Sequence, residues 1–166
     1  MADHGALYPG FDAAFVKAMA ELCKQADYIV PNITEACFLT DTPYQETCDE
    51  DFVNLLLNKL TSMGCKNVIL SGISYEEGWT GVVVYEDGKY SYYRHKLLPN
   101  SCHGTGDIYA SAFVGALVQG KPAYDAARIA ADYTVDCIMA TAEEENHWYG
   151  AKFEPVMTKL AGYLAD

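Results

Sequence analysis

Residues 104–107, Gly-Thr-Gly-Asp, open a strongly helical stretch and constrain this chain more than any other feature. Two glycines free the backbone for dihedrals that other residues avoid and let it approach a ligand closely. The helix they introduce, expected from about Asp107 to Val118, aims unpaired N–H groups and the positive end of its dipole at whatever lies in front. That is an anion site. Gly104, Thr105 and Gly106 would cradle a phosphoryl group in transfer, while Asp107 at the edge removes the proton of the attacking hydroxyl. The competing reading is an ordinary strand-to-helix turn capped by Thr105 or Asp107.

A second motif, Pro31-Asn32-Ile33-Thr34-Glu35-Ala36, follows the apolar run Tyr28-Ile29-Val30. That run reads as a buried parallel strand bounded by Asp27 and Pro31. Asn32 can cap the next helix, with Glu35 at the spacing of a capping box. The functional alternative uses the same two side chains, one turn apart on one face, to hold a hydrated Mg2+ beside nucleotide phosphates. Magnesium keeps most of its waters, so one amide and one carboxylate suffice.

Elsewhere the pattern alternates. Phe11 to Gln25 is expected to be an amphipathic helix behind Asp12, with Phe15, Met19, Leu22 and Cys23 at helical spacing. About Asp49 to Met63, a helix places Phe52, Leu55, Leu56, Leu60 and Met63 on one face, and Gly64 stops it. Strand Asn67 to Ser71 follows. Gly81 to Glu86 and Lys89 to His95 form a hairpin over Asp87-Gly88. A loop through Pro99 and Asn100 leads to the glycine motif. Helices near Ala123 to Ala142 and Glu154 to Ala165 close the chain. This is an α/β pattern in one domain. Ligands of such open sheets sit off the carboxyl ends of the strands, where Asn32 and Ser71 fall.

Charge and cysteine usage exclude several classes. The formal charge of −12 argues against nucleic acid, which demands basic patches. It also requires any phosphate-bearing ligand to be held by local features, since the global field repels it. No apolar run approaches the roughly 18–20 residues of a membrane span, and no signal pattern opens the chain. Cys23, Cys37, Cys48, Cys65, Cys102 and Cys137 show no CxxC spacing. Free thiols in a reducing cytosol are the expectation.

Together the two motifs resemble the ribokinase-like small-molecule kinases, within them the vitamin kinases, and most closely the pyridoxal (pyridoxamine) kinases. The resemblance takes in Asp3-His4-Gly5-Ala6-Leu7-Tyr8, Val30 to Ala36, Val68-Ile69-Leu70-Ser71, His103 to Asp107 and Trp148-Tyr149-Gly150. It implies a three-layer open sheet with helices on both faces. The implied activity is ATP- and Mg2+-dependent phosphorylation of the 5'-hydroxymethyl group of a vitamin B6 compound, by a cytoplasmic homodimer. Ser71 and Gly72 correspond to nucleotide-side residues, joined there by Asn32. Asp3, which looks like the second acidic residue of an Asp-Pro-Val-x-Gly-Asp-like segment, joins Glu35 and Asn32 at the metal. Ala2 stands where that segment usually has Gly. The resemblance further implies that residues 1–166 are the C-terminal, ATP-side portion of one kinase domain whose N-terminal strands are absent. An uncovered sheet flank of that kind predicts self-association, and a non-catalytic fragment stays open as a reading of the isolated chain. So does a hydroxymethylpyrimidine or sugar substrate, although Asp107, where the pyrimidine branch often has Cys, tilts the resemblance to pyridoxal.

Other residues are weaker candidates. Lys89, Arg94 and Lys96 form the one local basic cluster, which reads as edge-strand charge for solubility before it reads as a phosphate site. Cys102-His103 lacks a third member for a thiol–imidazole dyad. His147, Trp148 and Tyr149 read as an aromatic packing corner, and Glu143 to Glu145 as a solvated face.

Overall fold

Three acidic or amide side chains start the first three helices. Asp12 accepts from Phe15 N at 2.8 Å and begins α1, Ala13–Cys23. Asn32 begins α2, Ile33–Leu39, and Asp49 accepts from Phe52 N at 2.8 Å to begin α3, Glu50–Ser62. Each oxygen satisfies an N–H that has no partner inside its helix. In this computed structural model, residues 1–99, 102–144, 147 and 149–165 are described. Asn100, Glu145 and Trp148, named above, lie outside them.

The chain divides into two compact units, Met1–Arg94 and His95–Asp166. In the first, β3 (Tyr28–Ile29), β4 (Asn67–Ile73), β5 (Trp79–Glu86) and β6 (Lys89–Lys96) make a sheet in that order. β3 and β4 are parallel and β4 and β5 antiparallel. Val68, Leu70, Ile73 and Val83 join Ile33, Ala36, Phe52, Leu56 and Leu60 in one apolar core. On the opposite face Ile69, Val82 and Val84 are buried as well. That explains why Val68-Ile69-Leu70 is an unbroken apolar run, since a strand covered on both faces has no polar side.

β4 runs two residues beyond the expected Ser71. Gly72, at φ 78°, interrupts the register between Ser71 and Ile73, and pairing resumes at Ile73 with Gly81. This is a bulge built on a left-handed glycine. The Asp87-Gly88 turn has both residues at positive φ (51° and 77°), as a two-residue hairpin requires. A second hairpin has no strand signal in the sequence. β1 (Ala2–Asp3) pairs with β2 (Ala6–Leu7) across His4 and Gly5, again both at positive φ. Two-residue strands carry no period, so only the turn pair betrays it.

In the second unit, α4 spans Thr105–Val118 and α5 spans Ala123–Ala142, the latter as expected to the residue. α4 buries Tyr109, Ala112, Phe113 and Ala116, a helical stripe. Ala126, Ala127, Ala130 and Ala131 of α5 are buried too, and such small side chains let backbones approach closely. Tyr109 thereby donates to Ala127 O at 3.2 Å, and the buried phenol is held well above its usual pKa. The last expected helix opens as a 3₁₀ turn at Glu154–Val156, with Pro155 in the first turn, where a missing N–H costs no helix bond, and continues as α6, Met157–Ala165. Tyr163 and Lys159 both donate to Asp136 of α5, at 2.7 and 2.6 Å. Among the described residues, no helix is long and apolar enough to cross a membrane.

Candidate active site

α4 begins two residues earlier than expected, and neither cap of the competing reading, Thr105 or Asp107, is made. Gly104 occupies the cap position at φ 83° and ψ 1°, with no side-chain hydrogen bond to the helix start. Thr105 turns its hydroxyl back to Cys102 O at 3.4 Å instead. Asp107, in the first turn, is exposed. The left-handed glycine thus starts the helix, and among the described residues no side chain caps its first amides, which is the condition for an anion site at a helix N-terminus. Gly106 has no positive φ, and a Cβ there would meet nothing within 4 Å. Neither backbone nor neighbours require glycine. A ligand approaching the backbone would.

In the first unit, the structure gathers Asp3, Asn32 and Glu35 around the hairpin β1–β2. Asn32 Oδ1 accepts from Glu35 N at 2.8 Å and Glu35 Oε2 accepts from Asn32 N at 3.1 Å, which completes the capping box. Asn32 Nδ2 donates to Ala2 O at 2.9 Å, and Gly5 N donates to Thr34 Oγ1 at 3.1 Å. The hairpin is therefore sewn onto the start of α2. Glu35 Oε1 accepts from the Met1 ammonium at 2.7 Å, while Asp3 Oδ1 takes His4 N at 2.9 Å. The Tyr8 phenol is pushed above its usual pKa by burial first, then by Asp3 and Glu35, so both carboxylates bear on the same hydroxyl.

The donor set decides what cation this cluster suits. Among the described residues no group of three or more His, Cys, Asp or Glu side chains could hold a metal ion. A closed cage is excluded there. Two carboxylates, with one lone pair left on an Asn32 oxygen that already accepts the cap bond, suit a divalent cation that keeps most of its waters. The cap and the cation readings of Asn32 therefore draw on one amide, and the cap takes its first share.

Ser71 and Asn32 form an isolated parallel bridge, and Ser71 N and Oγ both donate to Pro31 O, at 3.0 and 3.3 Å. The carboxyl ends of β3 and β4 are thus side by side, with Gly72 exposed just beyond. Gly72 also has the structural duty of the bulge. A cavity of about 290 Å3 adjoins Glu35, but its lining includes Met19, Leu22, Ile29, Pro31 and Leu39. It is too apolar for a triphosphate.

The weaker candidates find structural partners. Arg94 pairs with Glu76 and lies 4.5 Å over the Trp79 ring, so this member of the basic cluster packs the hairpin. His103 is exposed, and its carbonyl accepts from Ala151 N at 2.9 Å. His147 packs against Tyr149 with ring centroids 4.2 Å apart. Glu144 pairs with Lys152.

The family model for phosphomethylpyrimidine kinase matches residues 9–153. A Bacteroides thetaiotaomicron structure described as a phosphomethylpyrimidine kinase is 31% identical, with a TM-score of 0.89, over 96% of this chain and 56% of that one. A second crystal form of that protein, with pyridoxal, gives 30% identity and a TM-score of 0.86, over 98% of this chain and 58% of that one. Pyridoxal kinase from Lactobacillus plantarum is 29% identical, with a TM-score of 0.85, over 99% of this chain and 59% of that one. The hydroxymethylpyrimidine/phosphomethylpyrimidine kinase of Aquifex aeolicus is 29% identical over 121 residues, 72% of this chain and 46% of the relative. The chain spans about half the length of these relatives.

Proposed function

The chain belongs to the phosphomethylpyrimidine kinase family, within the ribokinase-like superfamily, and from that premise we propose that it carries the nucleotide-side machinery of an ATP-dependent vitamin kinase. The acceptor is the 5'-hydroxymethyl group of pyridoxal, pyridoxamine or pyridoxine. The uncapped start of α4 carries the proposal: a left-handed Gly104, a sterically unexplained Gly106 and an exposed carboxylate at Asp107.

Each residue then has a task. The hydroxymethyl oxygen forms a bond to the γ-phosphorus as the bond from that phosphorus to the β,γ-bridging oxygen breaks, and ADP leaves. Asp107 takes the hydroxyl proton. The amides of Thr105, Gly106 and Asp107 donate to the phosphoryl oxygens, where the transition state carries its charge. Ser71 and Gly72 take the nucleotide side. Asp3 and Glu35, with the free lone pair of Asn32, would hold Mg2+, which when bound offsets phosphate charge. The same reading includes homodimer assembly and a cytoplasmic setting.

A second substrate, hydroxymethylpyrimidine, is favoured by the matched family model and by the Aquifex relative. An ADP-release assay with pyridoxal, pyridoxamine and hydroxymethylpyrimidine side by side decides between them. Turnover with a vitamin B6 compound is the expected result. No ADP release and no nucleotide binding would refute the kinase reading.

Gly106→Ala tests the cradle apart from the chemistry. Alanine in a helix is favoured over glycine by about 1 kcal/mol, and its methyl meets no protein atom. The variant is expected to melt higher yet bind ADP more weakly, read by calorimetry. Equal affinity would remove Gly106 from the cradle.

A further inference from the structure

We infer that Thr141, in the last turn of α5, is a positioning residue for the turn in front of α4, acting through Gly150, Ala151 and Lys152. The inference rests on reading that turn as a phosphate cradle, and it adds the device that holds it.

Thr141 is buried, and its hydroxyl is used twice. Oγ1 donates to Cys137 O at 2.6 Å and accepts from Lys152 N at 2.8 Å. The first bond is ordinary for a threonine within a helix. The second is not, because Lys152 lies outside α5, eleven residues on. It seats a segment whose preceding residue, Ala151, donates its N–H to His103 O at 2.9 Å. Lys152 also pairs with Glu144, just past the end of α5, so the segment is held by backbone and side chain alike.

His103 is the residue before Gly104. A peptide unit is planar, so pinning the His103 carbonyl also fixes the direction of the Gly104 N–H and the plane from which the left-handed Gly104 departs. The chain of bonds runs from the α5 backbone through Thr141 to Lys152, and from Ala151 to the cradle. Gly150, at φ 146°, lets the segment bend onto His103, since side-chain-bearing residues rarely adopt that conformation. A Cβ at Gly150 would come 3.7 Å from His103 O. That is ordinary contact, so the glycine is needed for its dihedral and not for space. Among the described residues, the cradle's own side chains add one long bond, from the Thr105 hydroxyl to Cys102 O at 3.4 Å, and no cap bond to the helix start.

Thr141→Val keeps the shape and removes both bonds, and Thr141→Ser keeps the bonds. In the full chain, Thr141→Val is expected to abolish amide-exchange protection at Ala151 and Lys152 and to weaken Mg-ADP binding about tenfold, the loss of one good hydrogen bond. Thr141→Ser is expected to restore both. If Thr141→Val fails to fold, Gly150→Ala displaces the segment without touching α5 and is expected to give the same pair of changes. Lost protection at Ala151 with unchanged ADP affinity would overturn the inference, as would a serine variant that behaves like valine. If the unaltered protein binds no ADP, the cradle reading falls. Exchange at Ala151 in Thr141→Val then still decides whether Thr141 seats the segment.

Discussion

Asp107→Asn is expected to lower turnover in the ADP-release assay by at least about 10²-fold, with nucleotide binding retained. Asparagine has nearly the same shape, so the amides that would grip phosphate stay in place while the proton acceptor is lost. The position is exposed and in the first turn of α4, so replacement leaves no buried cavity. Removing one negative charge from a helix N-terminus costs only about 0.3–1 kcal/mol. Loss of turnover in a variant that melts within a few degrees of the parent would therefore reflect chemistry. Near-normal turnover would dismiss Asp107 as the base and leave the cradle as an anion-binding feature alone.

The largest expected structural effect belongs to Gly81→Ala. A Cβ at this buried position would stand 2.0 Å from Tyr93 O and 2.9 Å from Arg94 Cα. Both are backbone atoms, and neither can swing aside as the tip of a flexible side chain could. The clash is relieved only by moving β6 away from β5. That would disturb the seat of Arg94 over Trp79 and the Tyr75–Tyr92 edge contact at 4.9 Å. We expect a cost near the upper end of overpacking, about 3 kcal/mol, read as a fall in the denaturant midpoint. Gly88→Ala in the turn of the same hairpin meets no atom within 4 Å and carries only the strain of its φ of 77°, about 1 kcal/mol. If the two variants unfold at the same denaturant concentration, the close approach of β6 at Gly81 is wrong.

These two glycines show where the sequence was readable. Asp87-Gly88 announces a turn because the pair meets the dihedral demand of that turn by itself. Gly81 looks like any strand residue. Its necessity comes from a neighbour on the next strand, and nothing in its own surroundings along the chain records that. Gly72 read as a nucleotide-side residue and proved also to be the hinge of a bulge, a fact that depends on the pairing of Ile73 with Gly81. The capping-box spacing at Asn32 and Glu35 was legible and both bonds are made, yet their ties to Ala2 and Met1 could not be read from a motif. At the glycine motif the side-chain cap of the competing reading is absent, and Gly104 in the left-handed region holds the cap position.

Helix spans, the caps at Asp12 and Asn32 and the Asp87-Gly88 turn are set by partners within one turn of the chain, so a linear reading suffices for them. The hairpin β1–β2 stitched to α2, the closeness of β6 at Gly81 and the hold of Ala151 on His103 join residues remote in sequence. Their energies depend on distances that exist only after the chain has packed, and those were decided by the tertiary structure.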